Sequence, residues 1–279
     1  MFDPNGRHNG QIQVRLSVKT RRHHENKSGD RQQLAAALHG YGPEGFRQIH
    51  SADQLRRLPA DVLEAVPRPD PWAGEAHAEV TAQGITLINF GMGSANAATV
   101  MDLLSAVKPK ACLFMGKCGG LKKKNKVGDL ILPIAAIRGE GASNDYFPAE
   151  VPALPAFNLQ KAISTTIRNH DRDYWTGTVY TTNRRVWEHD EEFKAYLRRI
   201  RAMAVDMETA TLFITGFFNE ISVGALLLVS DQPMVPGGIK TASSDKKVTQ
   251  QFLDMHLRIG IDSLKELINN GQTVKHLRF

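Results

Sequence analysis

Short apolar blocks alternate with longer amphipathic ones from Gln83 to the end of the chain. Residues 85–90 read as a strand, followed by the turn Gly91-Met92-Gly93 and a helix over 96–107. Residues 111–115 form a second apolar block, ending at Gly116 and Gly119-Gly120. Residues 128–133 open a third strand and 174–181 another. Pro155 begins a helical stretch to about Asn169, and the charge-rich run 190–201 is the next helix. Residues 202–206 and 224–230 read as strands that run into polar residues. The last helix, 244–269, carries Val248, Phe252, Met255, Ile259 and Leu264 on one stripe, the spacing that puts side chains on one face of a 3.6-residue turn. Strands alternating with helices must bury both sheet faces, so the pattern predicts an α/β fold: three α/β/α layers around a central mixed sheet.

Residues 1–82 break this pattern and stand apart from a catalytic domain over 83–279. They hold six of the ten histidines and the run Pro67-Arg68-Pro69-Asp70-Pro71, with one apolar run of note at 34–38. Such a segment buries too little to offset its conformational entropy, and reads as a disordered extension. The whole chain, at 279 residues and 42% hydrophobic, is long enough for one large core. It has no apolar stretch of spanning length and no signal-peptide core, and its two cysteines, Cys112 and Cys118, make neither a disulfide framework nor a zinc site. A cytoplasmic protein with no membrane partner is expected.

Net charge is +6, which raises nucleic acid as a partner. The charge is spread, with 11 basic and 10 acidic residues in 1–82. The densest run, Lys122-Lys123-Lys124-Asn125-Lys126, contains no aromatic for base stacking and reads as a solvated turn. No nucleic-acid partner is expected. Gly91-Met92-Gly93-Ser94 lacks the third glycine of a dinucleotide fingerprint, because position 96 is Asn. Cys118 has no paired His motif that would make it a nucleophile, and His189-Asp190 stand at a helix start, where capping is the simpler role.

Three segments place polar residues at the end of an apolar strand, where ligands collect in α/β sheets. They are Asp206-Met207-Glu208, Ser230-Asp231 and Gly116-Lys117-Cys118-Gly119-Gly120. An acid in such a position is often a helix cap, but two such strand ends can face one crevice. Together these segments resemble the purine nucleoside phosphorylase and nucleosidase superfamily. The match extends through Ile88-Asn89-Phe90-Gly91-Met92-Gly93-Ser94, Arg138-Gly139-Glu140-Gly141, Ser143-Asn144-Asp145-Tyr146-Phe147-Pro148 and Tyr180-Thr181-Thr182-Asn183-Arg184-Arg185-Val186-Trp187-Glu188-His189-Asp190. Over about two-thirds of the chain the sequence resembles the AMP nucleosidase family, whose members hydrolyse AMP to adenine and ribose 5-phosphate.

The resemblance implies a nucleoside phosphorylase-like fold and a homo-oligomer, commonly a hexamer, with neither metal nor cofactor. It makes Asp231 the acid that protonates purine N7, supported by Ser230. Met207 and Glu208 become the ribose clamp, with Asp206 and Gly93 beside them. Glycosidic cleavage builds positive charge on the sugar and negative charge on the base, which suits a carboxylate near the first and a carboxylic acid near the second. In phosphorylases an Arg on the strand before the glycine turn grips free phosphate. Here Phe114 and Lys117 stand at the matching positions, which favours water as nucleophile. The 5′-phosphate then needs its own cations, for which Lys117, Arg184 and Arg185 are candidates. Trp187 and Tyr180 are candidates to stack on the base. The alternatives are a related purine nucleoside hydrolase or phosphorylase, and a nucleotide-binding protein without turnover.

The family's short members begin with a helix and a strand resembling ILLTNF, and residues 1–82 contain neither. One back-translation of residues 23–59, read a nucleotide later, yields a string containing ILLTNF. This leads to the expectation that residues from about 24 to 79 are an out-of-frame reading after a translated leader, with frame restored near Val80. The alternative is a genuine, divergent tail.

Overall fold

The computed structural model describes residues 80–82 and 85–269. The expectations for residues 1–79, including the out-of-frame reading, lie outside the described residues. The first described element is a small antiparallel hairpin, β1 (Val80–Ala82) with β2 (Ile85–Leu87), with Thr81 in register with Thr86. The strand expected over 85–90 is thus shorter and pairs with β1. Helix α1 (Ser94–Val107) follows the glycine turn.

The remaining strands form one mixed sheet that curls until it closes, in the order β3-β6-β5-β4-β7. These are β3 (Cys112–Gly120), β4 (Leu130–Gly139), β5 (Tyr174–Thr182), β6 (Ala204–Asp206) and β7 (Val223–Asp231). Strands β3 and β7 run parallel, as do β4 with β5 and β5 with β6. The antiparallel joins β4–β7 and β3–β6 make the sheet mixed. The helices between them are α2 (Phe157–Asn169), α3 (Glu191–Arg199), α4 (Thr209–Phe218) and α5 (Ala242–Asn269).

The period of two along a strand sends neighbouring side chains to opposite faces. Leu226 and Leu228 of β7, with Leu130 and Leu132 of β4, pack under α2 and α5 against Leu159, Ile163 and Ile259. Ala225, Leu227 and Val229 with Ile131 face the other way, onto Met101 of α1 and Phe213 of α4. Every residue of β7 is buried, which explains why it reads as an unbroken apolar run rather than an alternating one. Helix α3 closes a third cluster, with Leu197 and Phe193 against Tyr180, Trp187 and Val205.

Three features depart from the sequence expectation. Strand β3 continues to Gly120 and β4 continues past Pro133 to Gly139. At Pro133 the missing N–H is absorbed by a register shift between Pro133 and Ala135, with Ile134 turned outward. Helix α4 has no polar face for periodicity to detect, because Thr209 through Gly216 are all buried. At 190–201 the cap is Asp190, whose side chain accepts from Phe193 N.

Candidate active site

Gly119 is where the curl of the sheet becomes chemistry. On one side it pairs with Val205 of β6 and on the other with Asp231 of β7. Adjacent strands lie about 4.8 Å apart, so the ends of β6 and β7 come within about 10 Å across a single glycine. A Cβ on Gly119 would lie 3.2 Å from both Pro233 and Val205. A side chain here would make Pro233 and Val205 give way by a few tenths of an ångström, so glycine suits the close approach.

The two strand ends open into one cavity of about 1340 Å³. Asp231, Met207, Glu208, Lys117, Arg184, Arg185 and Trp187 all line it. Tyr180 is not among its lining residues. Its ring, expected from the sequence to stack on a base, lies edge-on to Phe193 and Tyr196 within the apolar cluster under α3. Gly93 is also absent from the lining but acts on it, because its N–H donates to Glu208 Oε1 at 2.6 Å. Its φ of 99° and ψ of 153° belong to a region open essentially to glycine alone.

Glu208 is held from two directions. Besides Gly93, Met207 N donates to its Oε2 at 3.2 Å. Ser94 Oγ donates to Met207 O at 2.6 Å, tying the start of α1 to the same segment. Burial, then the Asp206 charge next door, pushes the Glu208 carboxyl up to about 7, against the opposing pull of these N–H donors and of Lys240. Asp206 faces inward. Thr181 Oγ1 donates to its Oδ1 at 2.8 Å, and Thr209 gives its backbone N–H at 2.8 Å and its hydroxyl to Oδ2. Asp206 thereby locks the entry to α4 and sets the direction in which Met207 and Glu208 project.

Asp231 is 8% exposed, and burial is the main cause of its carboxyl being raised above the ordinary range. Ser230 Oγ donates to its Oδ1 at 2.7 Å, and that bond together with the Lys240 charge opposes the rise. Among the buried carboxyl groups of the site, Asp231 and Glu208 are thus poised differently: one is hydrogen-bonded to a serine, the other to a pair of backbone N–H groups.

The cationic side chains divide into two groups. Lys117 Nζ pairs with Asp245 Oδ1 at 2.8 Å and donates to Thr249 Oγ1 at 2.7 Å, so β3 is tied to the start of α5. Arg184 pairs with Asp190 at 2.8 Å and lies over the Phe193 ring, and Arg185 stands 3.7 Å from Glu188 Oε1. Trp187 is 5% exposed, with its ring edge-on to Phe193. Phe114 lines the cavity and packs on Phe90.

Two residues in the cavity lining escape a sequence reading. Glu188 is buried and raises Asp231 by its charge. Lys240 lies in the glycine-rich connection between β7 and α5, where no periodicity marks it. Among the described residues no three His, Cys, Asp or Glu side chains cluster as a metal ion would require. No helix among them is long and apolar enough to cross a membrane.

The curl of the mixed sheet thus brings the strand-end carboxyl groups and several cationic side chains to one cleft. The chain belongs to the phosphorylase superfamily, whose defining pattern matches residues 56–265. The AMP nucleosidase of Escherichia coli K12 is 33% identical over 198 residues, which are 68% of this chain and 41% of that protein. The chain therefore spans about two-fifths of that relative's length. The crystal structure of an AMP nucleosidase from Bacteroides thetaiotaomicron VPI-5482 is 57% identical, with a TM-score of 0.61, and the match covers 70% of this chain and 77% of that one. A uridine phosphorylase from Vibrio fischeri ES114, 22% identical with a TM-score of 0.60 over 67% of this chain and 77% of its own, shares the fold.

Proposed function

We propose that this protein hydrolyses the N-glycosidic bond of AMP to adenine and ribose 5-phosphate. The observation that carries the reading is the convergence of Asp231 and Glu208 on one cavity, in a chain that is 57% identical to a solved AMP nucleosidase over the 70% of its length that matches. Buried Asp231 keeps its proton to higher pH than a free carboxyl group, as an acid for purine N7 must. Glu208, with Met207 beside it, holds the ribose hydroxyls and faces the positive charge that grows at C1′. Gly93 and Asp206 fix that segment, and Ser230 holds Asp231.

The bond from C1′ to N9 breaks with its electron pair passing to the base, while Asp231 gives its proton to N7. Water adds at C1′, and the proton it sheds restores Asp231. Lys117, Arg184 and Arg185 supply the positive charge for the 5′-phosphate, and Trp187 borders the base. Phe114, on the cavity wall where phosphorylases of the family carry an Arg, supports water over free phosphate as the acceptor. No cofactor enters these steps. We place the enzyme in the cytoplasm as a homo-oligomer, a hexamer by family likeness.

The test is a product assay with the purified full chain and AMP, followed for adenine and ribose 5-phosphate with and without added phosphate. Adenine release independent of phosphate is the expected result. Release that requires phosphate makes the protein a phosphorylase, and binding of AMP without release makes it a nucleotide-binding protein.

A further inference from the structure

Lys240 has no step assigned to it above, yet its charge acts on both Glu208 and Asp231. It lines the cavity from the connection between β7 and α5, with its side chain 26% exposed. Its Nζ is 3.4 Å from Ser230 Oγ and 3.9 Å from Asp245 Oδ1. Asp245 is engaged more closely by Lys117, at 2.8 Å, which leaves Lys240 the looser partner there and directs its ammonium toward Ser230.

The Ser230 hydroxyl has one hydrogen and two acceptors within reach: Asp231 Oδ1 at 2.7 Å and the Cys118 carbonyl at 3.3 Å. A hydroxyl that accepts from a cation is polarised and becomes a stronger donor to a carboxyl oxygen. We propose that Lys240 is a positioning residue for Asp231: it donates to Ser230 Oγ, commits that hydroxyl to Oδ1, and so makes Oδ2 the oxygen that carries the transferable proton. The inference rests on the reading of Asp231 as the acid. It assigns the proton to one atom and explains the lysine by that task.

The groups that set Asp231, besides its burial, are Ser230 on its own strand, Arg185 and Glu188 on the connection after β5, and Lys240 after β7; Cys118 on β3 feels the Asp231 charge in turn. Glu188 acts against Arg185, and Lys240, whose Asp245 partner is shared with Lys117, is the other cation acting on Asp231. Without it, the carboxyl group loses a stabilising charge and the hydroxyl is released toward Cys118. Asp231 then binds its proton more tightly and surrenders it less readily.

The experiment uses the full chain with aspartate labelled at the carboxyl carbon, the Asp231 resonance being the one that vanishes in Asp231→Asn. Its titration midpoint is compared in wild type, Lys240→Met and Lys240→Arg, beside the turnover of AMP. Lys240→Met is expected to raise the midpoint by about half a pH unit or more and to lower kcat about tenfold with KM within about threefold, as loss of one nearby charge implies. Lys240→Arg is expected to restore both. An unmoved midpoint overturns the proposal, and so does a change confined to KM, which would make Lys240 a substrate ligand. The titration needs no turnover, so a wild-type protein that releases no adenine fails the hydrolase reading while the Lys240 assignment is still decided by the midpoint.

Discussion

Replacing Asp231 by Asn separates what this carboxyl group does for the reaction from what it does to the fold. The amide oxygen keeps the acceptor that Ser230 Oγ reaches at 2.7 Å, a bond worth about 1 kcal/mol, so the segment stays in place. What is lost is the proton for the departing base. Positioned general acids contribute about 10²- to 10⁴-fold, or roughly 3–5 kcal/mol of barrier. Adenine release by Asp231→Asn is therefore expected to fall by that factor, with KM little changed. Stability moves in the opposite sense. Burial raises this carboxyl group in the folded chain, so the folded state binds the proton more tightly than the unfolded one. Stability that the wild type has below about pH 4, the unfolded value, is lost as pH rises through the folded one. The amide has no such loss. Thermal unfolding followed upward from about pH 4 should show the variant gaining on the wild type until the folded-state carboxyl group has ionised. Retention of more than a tenth of wild-type turnover would refute the acid assignment, and a stability difference independent of pH would refute the burial argument.

Further outcomes follow from the other parts of the site. Glu208 stands at about 7, and its ionised form is the one that accepts ribose hydroxyls. Calorimetry should find AMP binding to strengthen as pH rises through that value, and Glu208→Gln should flatten the dependence and weaken binding about tenfold or more. The double variant Arg184→Ala, Arg185→Ala should cut kcat/KM for AMP by about 10- to 100-fold and leave adenosine nearly untouched; equal losses for both substrates would remove these arginines from the phosphate site. Gly93→Ala should cost about 1–3 kcal/mol in denaturant melts, because its φ of 99° and ψ of 153° strain any side chain although nothing crowds the Cβ.

Much of the chain's plan was legible as sequence. Strands β5 and β7 and helices α1, α2, α3 and α5 lie within a few residues of where apolar spacing put them, because burial on one face or two imposes a period that survives in the residue order. The motifs at Asp206-Met207-Glu208 and Ser230-Asp231 pointed to a shared crevice on the same grounds: polar residues that follow a buried strand must emerge at its end. Helix α4 was illegible because a helix buried on all sides has no polar face. The tail of β3 was hidden by glycines, which carry no pattern of their own.

The site needed the tertiary structure for what depends on distance rather than order. Tyr180 and Trp187 lie in one motif, yet only Trp187 reaches the cavity, because α3 turns the Tyr180 ring into its own cluster. Asp206, Met207 and Glu208 all border the cleft, but the Asp206 carboxylate is taken up by Thr181 and Thr209, which the residue order does not show. Lys240 comes within reach of Ser230 through a glycine-rich loop whose path no periodicity describes. The sequence by itself determined the alternation of strands and helices and the chemical types at the strand ends, since these follow from burial and local spacing. The closing of the sheet through Gly119, which brings β6 and β7 to one cleft, was decided by tertiary structure, since strand pairing joins residues that the chain order keeps far apart.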